Sequence, residues 1–150
     1  GFSMPIRNGY ADEVYIVTGG DRRCSYFGEI MTARIKANKG VGAVIDGYIR
    51  DTKQVLEQDF PVFSMGRDAQ GSGYRNQVIA YRVPVEIGNI KINPGDLIFG
   101  DIDGVVVIPK EIEEEAITIT LAKVREEKET RDAIDSGMSA VEAMNKYGVF

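Results

Sequence analysis

Apolar and polar positions change period several times along the chain, and each change marks an element. "EVYIVT" (13–18) alternates and is β-branched, which predicts a strand. "GGD" (19–21) reads as a turn. From Gly28, "GEIMTARIKANKG" puts Ile30, Ala33, Ile35 and Ala37 near one helical face, with Gly40 closing the helix. "VGAVID" (41–46) is a near-continuous apolar run, as expected of a strand covered on both faces. "DTKQVLEQ" (51–58) predicts a short helix and "FPVFSM" (60–65) a strand. The span 13–65 therefore reads β–α–β–α–β, a pattern that favours a sheet with helical crossovers.

After a polar, Gly-rich loop at 66–76 the pattern changes. "QVIAYRVPVEIGNIKI" predicts a long strand pair turning at Gly88-Asn89. "NPGD" (93–96) and "DIDG" (101–104) read as turns around the strand "LIFG", and "VVVIP" reads as a buried strand. A calcium loop at "DIDG" is rejected, because no bidentate Glu follows at the required spacing. Pro109 stops that strand and opens a helix to Ser136, with Glu111, Glu113, Glu114 and Glu115 in its first turns, where the helix dipole favours negative charge. Ile112, Ile119 and Val124 are expected on its apolar face, and Glu127–Arg131 as an i,i+4 pair. Gly137 ends the helix, and Ser139 with Glu142 predicts a capping box for a last helix at 140–147. Tyr and Phe are scattered and read as core.

Composition narrows the chemistry. The 150 residues suit one domain, and 43% hydrophobic content is enough for a core. No apolar run is long enough to span a membrane. A net charge of -5 disfavours direct nucleic-acid binding, and the single Cys24 and lack of an export signal suit a reducing cytoplasm. The chain has no His, which removes imidazole catalysis and His-ligated zinc. Any metal must then be held by carboxylates, carbonyls and water, the donors preferred by Mg²⁺, Ca²⁺ or Mn²⁺.

The stretch "GAVIDGYIRDTKQ" (42–54) ends an apolar run in adjacent opposite charges, Arg50 and Asp51. Two readings compete. Asp51-Thr52-Lys53-Gln54 fits a helix capping box, which leaves Arg50 as an ordinary surface residue. Alternatively, one helix and one strand separate Gly28 from Arg50, so an α/β crossover brings both to the same sheet edge. There the helix N–H groups and Arg50 can hold a carboxylate, while Asp51 holds a hard cation. A 2-oxo acid such as pyruvate or oxaloacetate has the matching shape.

"FGEIMTARIKANKGVGAVIDGYIRDTKQV", "FPVFSMG", "VPVEIGNIKINPGDLIFGDIDGVVVIP" and "SGMSAVEAMNKYGVF" resemble the RraA-like family. That family includes the regulator of ribonuclease E activity A and metal-dependent 4-hydroxy-4-methyl-2-oxoglutarate aldolases. The resemblance runs from residue 13 onward and implies a single domain over 1–150 without the family's usual N-terminal segment. It implies a swivelling β/β/α three-layer α/β fold that assembles as a trimer or dimer of trimers. In the aldolase branch, the backbone at Gly28, Glu29, Ile30 and Met31 would bind substrate, Arg50 would hold it, and Asp51 would ligate the metal, Mg²⁺ or Mn²⁺. A Glu from an adjacent subunit's C-terminal helix would hydrogen-bond a metal-bound water, and Glu127, then Glu126, fits that spacing.

The aldolase branch usually carries Arg-Asp-x-x-Glu/Asp, whereas this chain has Gln54 in the last place, which hydrogen-bonds without supplying charge. The ribonuclease regulators of the family also lack this acid. Two functions follow as expectations. One is a cytoplasmic lyase acting on small 2-oxo acids. The other is an acidic oligomer that binds a ribonuclease by charge complementarity and needs no chemistry at Arg50.

Overall fold

The computed structural model describes residues 11–148. The chain forms two compact units, one ending at Val107 and one beginning at Ile108.

The first unit is organised around one strand. β1 (Val14–Val17), β2 (Ser25–Phe27), β3 (Gly42–Ile49) and β4 (Val62–Arg67) form a parallel sheet, with α1 (Glu29–Ala37) and α2 (Thr52–Glu57) as crossovers. β1 pairs with the first half of β3, from Val14 opposite Gly42 to Val17 opposite Ile45. β2 pairs with its end, Ser25 opposite Tyr48 and Phe27 opposite Ile49. β4 pairs along both stretches, from Ala43 opposite Val62 to Ile49 opposite Arg67. It must therefore occupy one edge of β3, which leaves β1 and β2 end to end along the other. The apolar run of β3 follows from this position: Ala43, Ile45 and Ile49 are buried with Phe27 and Ile35, and Tyr15, Val17, Tyr26, Met31, Phe60 and Val62 pack around them. β2 escaped the pattern reading because three residues are too few to show a period.

The helical face expected of α1 is rotated. Thr32 and Ile35 are its buried residues, whereas Ile30 is 79% exposed and Ala33 and Ala37 face outward. Thr32 can sit inside because its Oγ1 donates to Gly28 O at 3.1 Å. Lys39 (φ 63°), ahead of Gly40, takes the left-handed position that closes the helix.

The long strand pair at 77–92 shrinks to a hairpin of β5 (Val85–Ile87) and β6 (Ile90–Ile92) turning at Gly88 (φ 61°). Pro84 has no N–H for a ladder, and Arg82 (φ 56°) turns the chain before it. A second hairpin joins β7 (Leu97–Asp101) to β8 (Gly104–Ile108). β8 is not a buried strand, since Val106 is more than half exposed. Tyr74, Tyr81 and Phe99 are likewise exposed rather than core.

In the second unit a 3-10 turn, Lys110–Ile112, leads into α3 (Glu113–Asp135). α3 packs on α4 (Ala140–Tyr147), whose capping box forms as expected: Glu142 N–H donates to Ser139 Oγ, and Ser139 N–H to Glu142 Oε2. Ile112, Ile119 and Val124 are exposed, so the predicted apolar face of α3 is not covered within the described residues. Glu127 pairs backward with Lys123 at 3.9 Å, not forward with Arg131. Among the described residues, no helix is long and apolar enough to cross a membrane.

Candidate functional site

Three parallel strands finish together, and their exits are tied by backbone hydrogen bonds. Arg50 N–H donates to Phe27 O at 2.9 Å, which binds the exit of β3 to that of β2. Asp68 N–H donates to Ile49 O at 3.0 Å, which binds the exit of β4 to β3. Gly28, Arg50-Asp51 and Arg67-Asp68 are thereby brought to the carboxyl edge of one parallel sheet, where such folds bind ligands. A shallow cavity there is lined by Ile49, Arg50, Asp51, Arg67 and Asp68, among others.

Glycine allows close approach at two places in this site. A Cβ on Gly28 would lie 2.8 Å from Asp51 Oδ2 and 3.1 Å from Arg50 Cγ. A Cβ on Gly71 would collide with the Arg50 guanidinium. Gly71 is fixed by a bridge to Ser25, whose N–H and Oγ donate to Gln70 O at 2.7 and 3.0 Å. Arg50 therefore lies against backbone on both sides, with its Nε 3.6 Å from Asp51 Oδ2. Both side chains remain accessible, at 48% and 41% exposure.

The capping reading of Asp51 fails on geometry. Asp51 does precede α2, but its side chain makes no cap hydrogen bond, and its backbone is left-handed (φ 55°, ψ 35°). An N-cap needs extended backbone to turn its side-chain oxygen onto the N2 or N3 amide, as Ser139 does at α4. A left-handed aspartate costs about 1 kcal/mol. Here it turns the carboxylate away from the helix and onto Gly28 and Arg50.

Gly28 is the N-cap of α1, with extended backbone (φ -174°), and Thr32 N–H donates to its carbonyl at 3.0 Å. The amides of Glu29, Ile30 and Met31 thus belong to the first turn, where helix geometry leaves N–H groups without intrahelical partners. Gln58 Nε2 holds Glu29 O at 3.2 Å, and Lys36 Nζ holds Gln58 O. The start of α1 is thereby pinned to the end of α2.

The preceding residues of the motif have a different task. Asp46 accepts from Thr18 Oγ1 at 2.7 Å and from Arg22 at 3.0 Å, and its carbonyl accepts from the Tyr26 hydroxyl. Gly47 leaves room for the Tyr26 ring, which a Cβ would strike. Burial, and then the Asp46 charge, push the Tyr26 hydroxyl up to about 12. In the stretch from Asp46 to Asp51, then, Asp46 and Gly47 build the strand, and Arg50 and Asp51 face the cavity.

No group of three or more potential metal-ligating side chains occurs among the described residues. Asp51 offers one accessible carboxylate, and Asp68 Oδ1 already accepts from Gln70 N–H at 2.7 Å. This donor set fits a hard cation that keeps most of its waters, as Mg²⁺ does, and does not fit zinc or a calcium cage. Gln54 is exposed on α2. Glu127 lies on α3, in the other compact unit from Arg50. Arg67, Asp68 and Gly71 were missed by pattern reading, because they sit in or beside a segment that shows only as a polar loop.

The chain matches the family model described as RraA-like: Aldolase/RraA over residues 5–107. It is 33% identical over 132 residues to a Halalkalibacterium halodurans protein provisionally named 4-hydroxy-4-methyl-2-oxoglutarate aldolase, covering 88% of this chain and 62% of that one. A crystal structure of an uncharacterised Pseudomonas syringae protein superposes with a TM-score of 0.88 at 35% identity, over 93% of this chain and 66% of that one. Streptomyces coelicolor RraAS2, described as an unusual member of the RNase ES inhibitor RraA protein family, gives a TM-score of 0.71 at 30% identity, over 79% and 61%. The chain thus spans less than two thirds of the length of each of these relatives.

Proposed function

The chain belongs to the RraA-like family, and from that premise we propose that it is a divalent-metal-dependent lyase of small 2-oxo acids. It would cleave 4-hydroxy-2-oxo diacids by retro-aldol reaction, decarboxylate oxaloacetate, or do both, through a pyruvate enolate. The observation that carries this reading is the Asp51 carboxylate, released from helix capping by a left-handed backbone and set beside Arg50 and Gly28.

Asp51 would hold a divalent cation, Mg²⁺ or the similarly hard Mn²⁺, which when bound would supply Lewis-acid polarisation of the 2-oxo carbonyl. The Arg50 fork and the first amides of α1 hold the substrate carboxylate and fix the plane of the 2-oxo group. When the C3–C4 bond breaks, its electron pair stays on C3 and the developing enolate charge faces Arg50. Oxaloacetate releases CO₂ in that step. A 4-hydroxy-2-oxo acid must also lose its hydroxyl proton to a base, and the Glu127 carboxylate from a second copy of the chain is proposed to orient the water that takes it. This requires a homo-oligomer, a trimer or dimer of trimers, and we place it in the cytoplasm, without a nucleic-acid partner.

The test is metal-dependent pyruvate release from oxaloacetate. Asp51→Ala should abolish it, and Arg50→Lys, which keeps charge but loses the planar fork, should lower kcat/KM at least ~10-fold, about 1.4 kcal/mol. Wild-type protein that releases no pyruvate above the metal-only background would overturn the reading. Gln54 and the likeness to RraAS2 favour a second reading, a non-catalytic protein that binds a ribonuclease. Inhibition of a ribonuclease that survives Asp51→Ala would support it.

A further inference from the structure

We propose that Arg67 is a second anion-binding group of this site and selects 2-oxo acids carrying a distal carboxylate. The inference rests on the lyase reading and adds a specificity-determining residue to it. Arg67 ends β4 directly opposite Ile49, the residue before Arg50, so two guanidinium side chains leave neighbouring strands at one edge. Both line the same cavity. Arg67 is exposed and forms no ion pair among the described residues. Asp68, the acid beside it, uses Oδ1 to accept from the Gln70 amide.

Arg67 also borders an adjoining trough, sharing that wall with Ile49 and Thr52. The rest of the trough includes Val55, Leu56, Phe60 and Val62, with Ser64 as a further polar group. A substrate whose 2-oxo acid end is fixed by Arg50 and Asp51 would extend its far end along this wall. A carboxylate there would meet little but apolar surface unless Arg67 receives it, and a guanidinium receives a carboxylate in two parallel hydrogen bonds. Arg50 then reads what all 2-oxo acids share, and Arg67 reads what distinguishes a diacid from pyruvate.

Calorimetric binding of pyruvate and 2-oxoglutarate, neither of which is cleaved, in saturating Mg²⁺ separates these roles. Wild-type protein should bind 2-oxoglutarate at least ~10-fold more tightly than pyruvate. Arg67→Gln should remove that preference and leave pyruvate within about twofold, and Arg67→Lys should restore part of it. Arg50→Lys should weaken both ligands together. If Arg67→Gln affects both ligands equally, or neither, the assignment of Arg67 is wrong while the site stands. If wild-type protein binds no pyruvate, the site reading falls and takes this inference with it.

Discussion

Adding a single methyl group at Gly28 tests whether its proximity to Arg50 and Asp51 matters for function. The φ of -174° suits any residue, so alanine meets no backbone strain there. The perturbation is contact alone. The new Cβ would lie 2.8 Å from Asp51 Oδ2, 3.1 Å from Arg50 Cγ and 3.3 Å from Arg50 O. Contacts of this kind settle near 3.5 Å, so the carboxylate must retreat by about 0.7 Å and the Arg50 stem by about 0.4 Å. Both side chains are half exposed and can move, which keeps the expected stability loss within about 1 kcal/mol. Catalytic geometry is less forgiving, since about 1 Å of misplacement costs up to ~100-fold. Gly28→Ala should therefore lower kcat/KM for oxaloacetate by ~10–100-fold, about 1.4–2.7 kcal/mol, with a nearly unchanged urea midpoint. Steady-state pyruvate release and urea denaturation of the same preparation check this. Kinetics within twofold of wild type would refute the reasoning, as would a stability loss above about 3 kcal/mol, because the backbone would then be absorbing the clash.

Three other outcomes are expected. Gln54→Glu places a carboxylate one turn beyond Asp51; since no capping box forms there, it should tighten Mg²⁺ binding and raise cleavage of 4-hydroxy-4-methyl-2-oxoglutarate by ~10-fold or more, with less effect on oxaloacetate. Metal titration and parallel assays of both substrates decide this, and unchanged affinity and rates would make position 54 structural. Tyr26 is raised from 10.0 to about 12 in the folded chain, so its contribution is complete below pH 10 and is lost as pH rises from about 10 to about 12. Tyr26→Phe should flatten that alkaline decline in denaturant midpoints, and an unaltered slope would exclude the assignment. Glu142 is held below its usual value of 4.5 by the Ser139 hydroxyl and then the Ser139 amide, so its contribution is present above that value and lost as pH falls through the folded value. Ser139→Ala should lower the thermal midpoint at about pH 7 more than at about pH 3, as followed by circular dichroism.

The parallel sheet was legible because its central strand β3 carries the apolar run "VGAVID", although its cover is unequal: Ala43, Ile45, Gly47 and Ile49 are buried, whereas Val44, Asp46 and Tyr48 are half-buried. The Gly28–Arg50 juxtaposition was legible for a topological reason: one helix and one strand between them fix a common edge. The role of Asp51 was not. A helix cap and a carboxylate left free for a ligand use the same residue type in the same place, and the backbone angles that exclude the cap are not written in the pattern. The rotated face of α1 was hidden because Thr32 is polar, and its hydroxyl finds Gly28 O only once the helix exists. Arg67 and Gly71 were invisible because their importance lies in what stands across from them, Ile49 in one case and the Arg50 guanidinium in the other. The exposed Ile119 and Val124 of α3 show the opposite case, an apolar pattern with nothing covering it among the described residues.

The pairing of β3 with three separate strands also constrains the order in which the chain can fold. Val14 meets Gly42, Ser25 meets Tyr48, and Ala43 meets Val62, so every ladder in this sheet closes a long loop and none can begin as a hairpin. Such non-local pairing slows folding, and β3 is the strand on which all three closures converge. Its amides are accordingly the ones that native-state hydrogen exchange should release last in this unit. Arg50 and Asp51 stand at the end of that strand, beyond the point where both β2 and β4 must have docked. An early, partly assembled form that holds only the β1–β3 ladder would have a nascent core but not the cavity lined by Arg50, Asp51 and Arg67. Recovery of pyruvate binding during refolding should therefore lag behind burial of Tyr15 and arrive with the docking of β4.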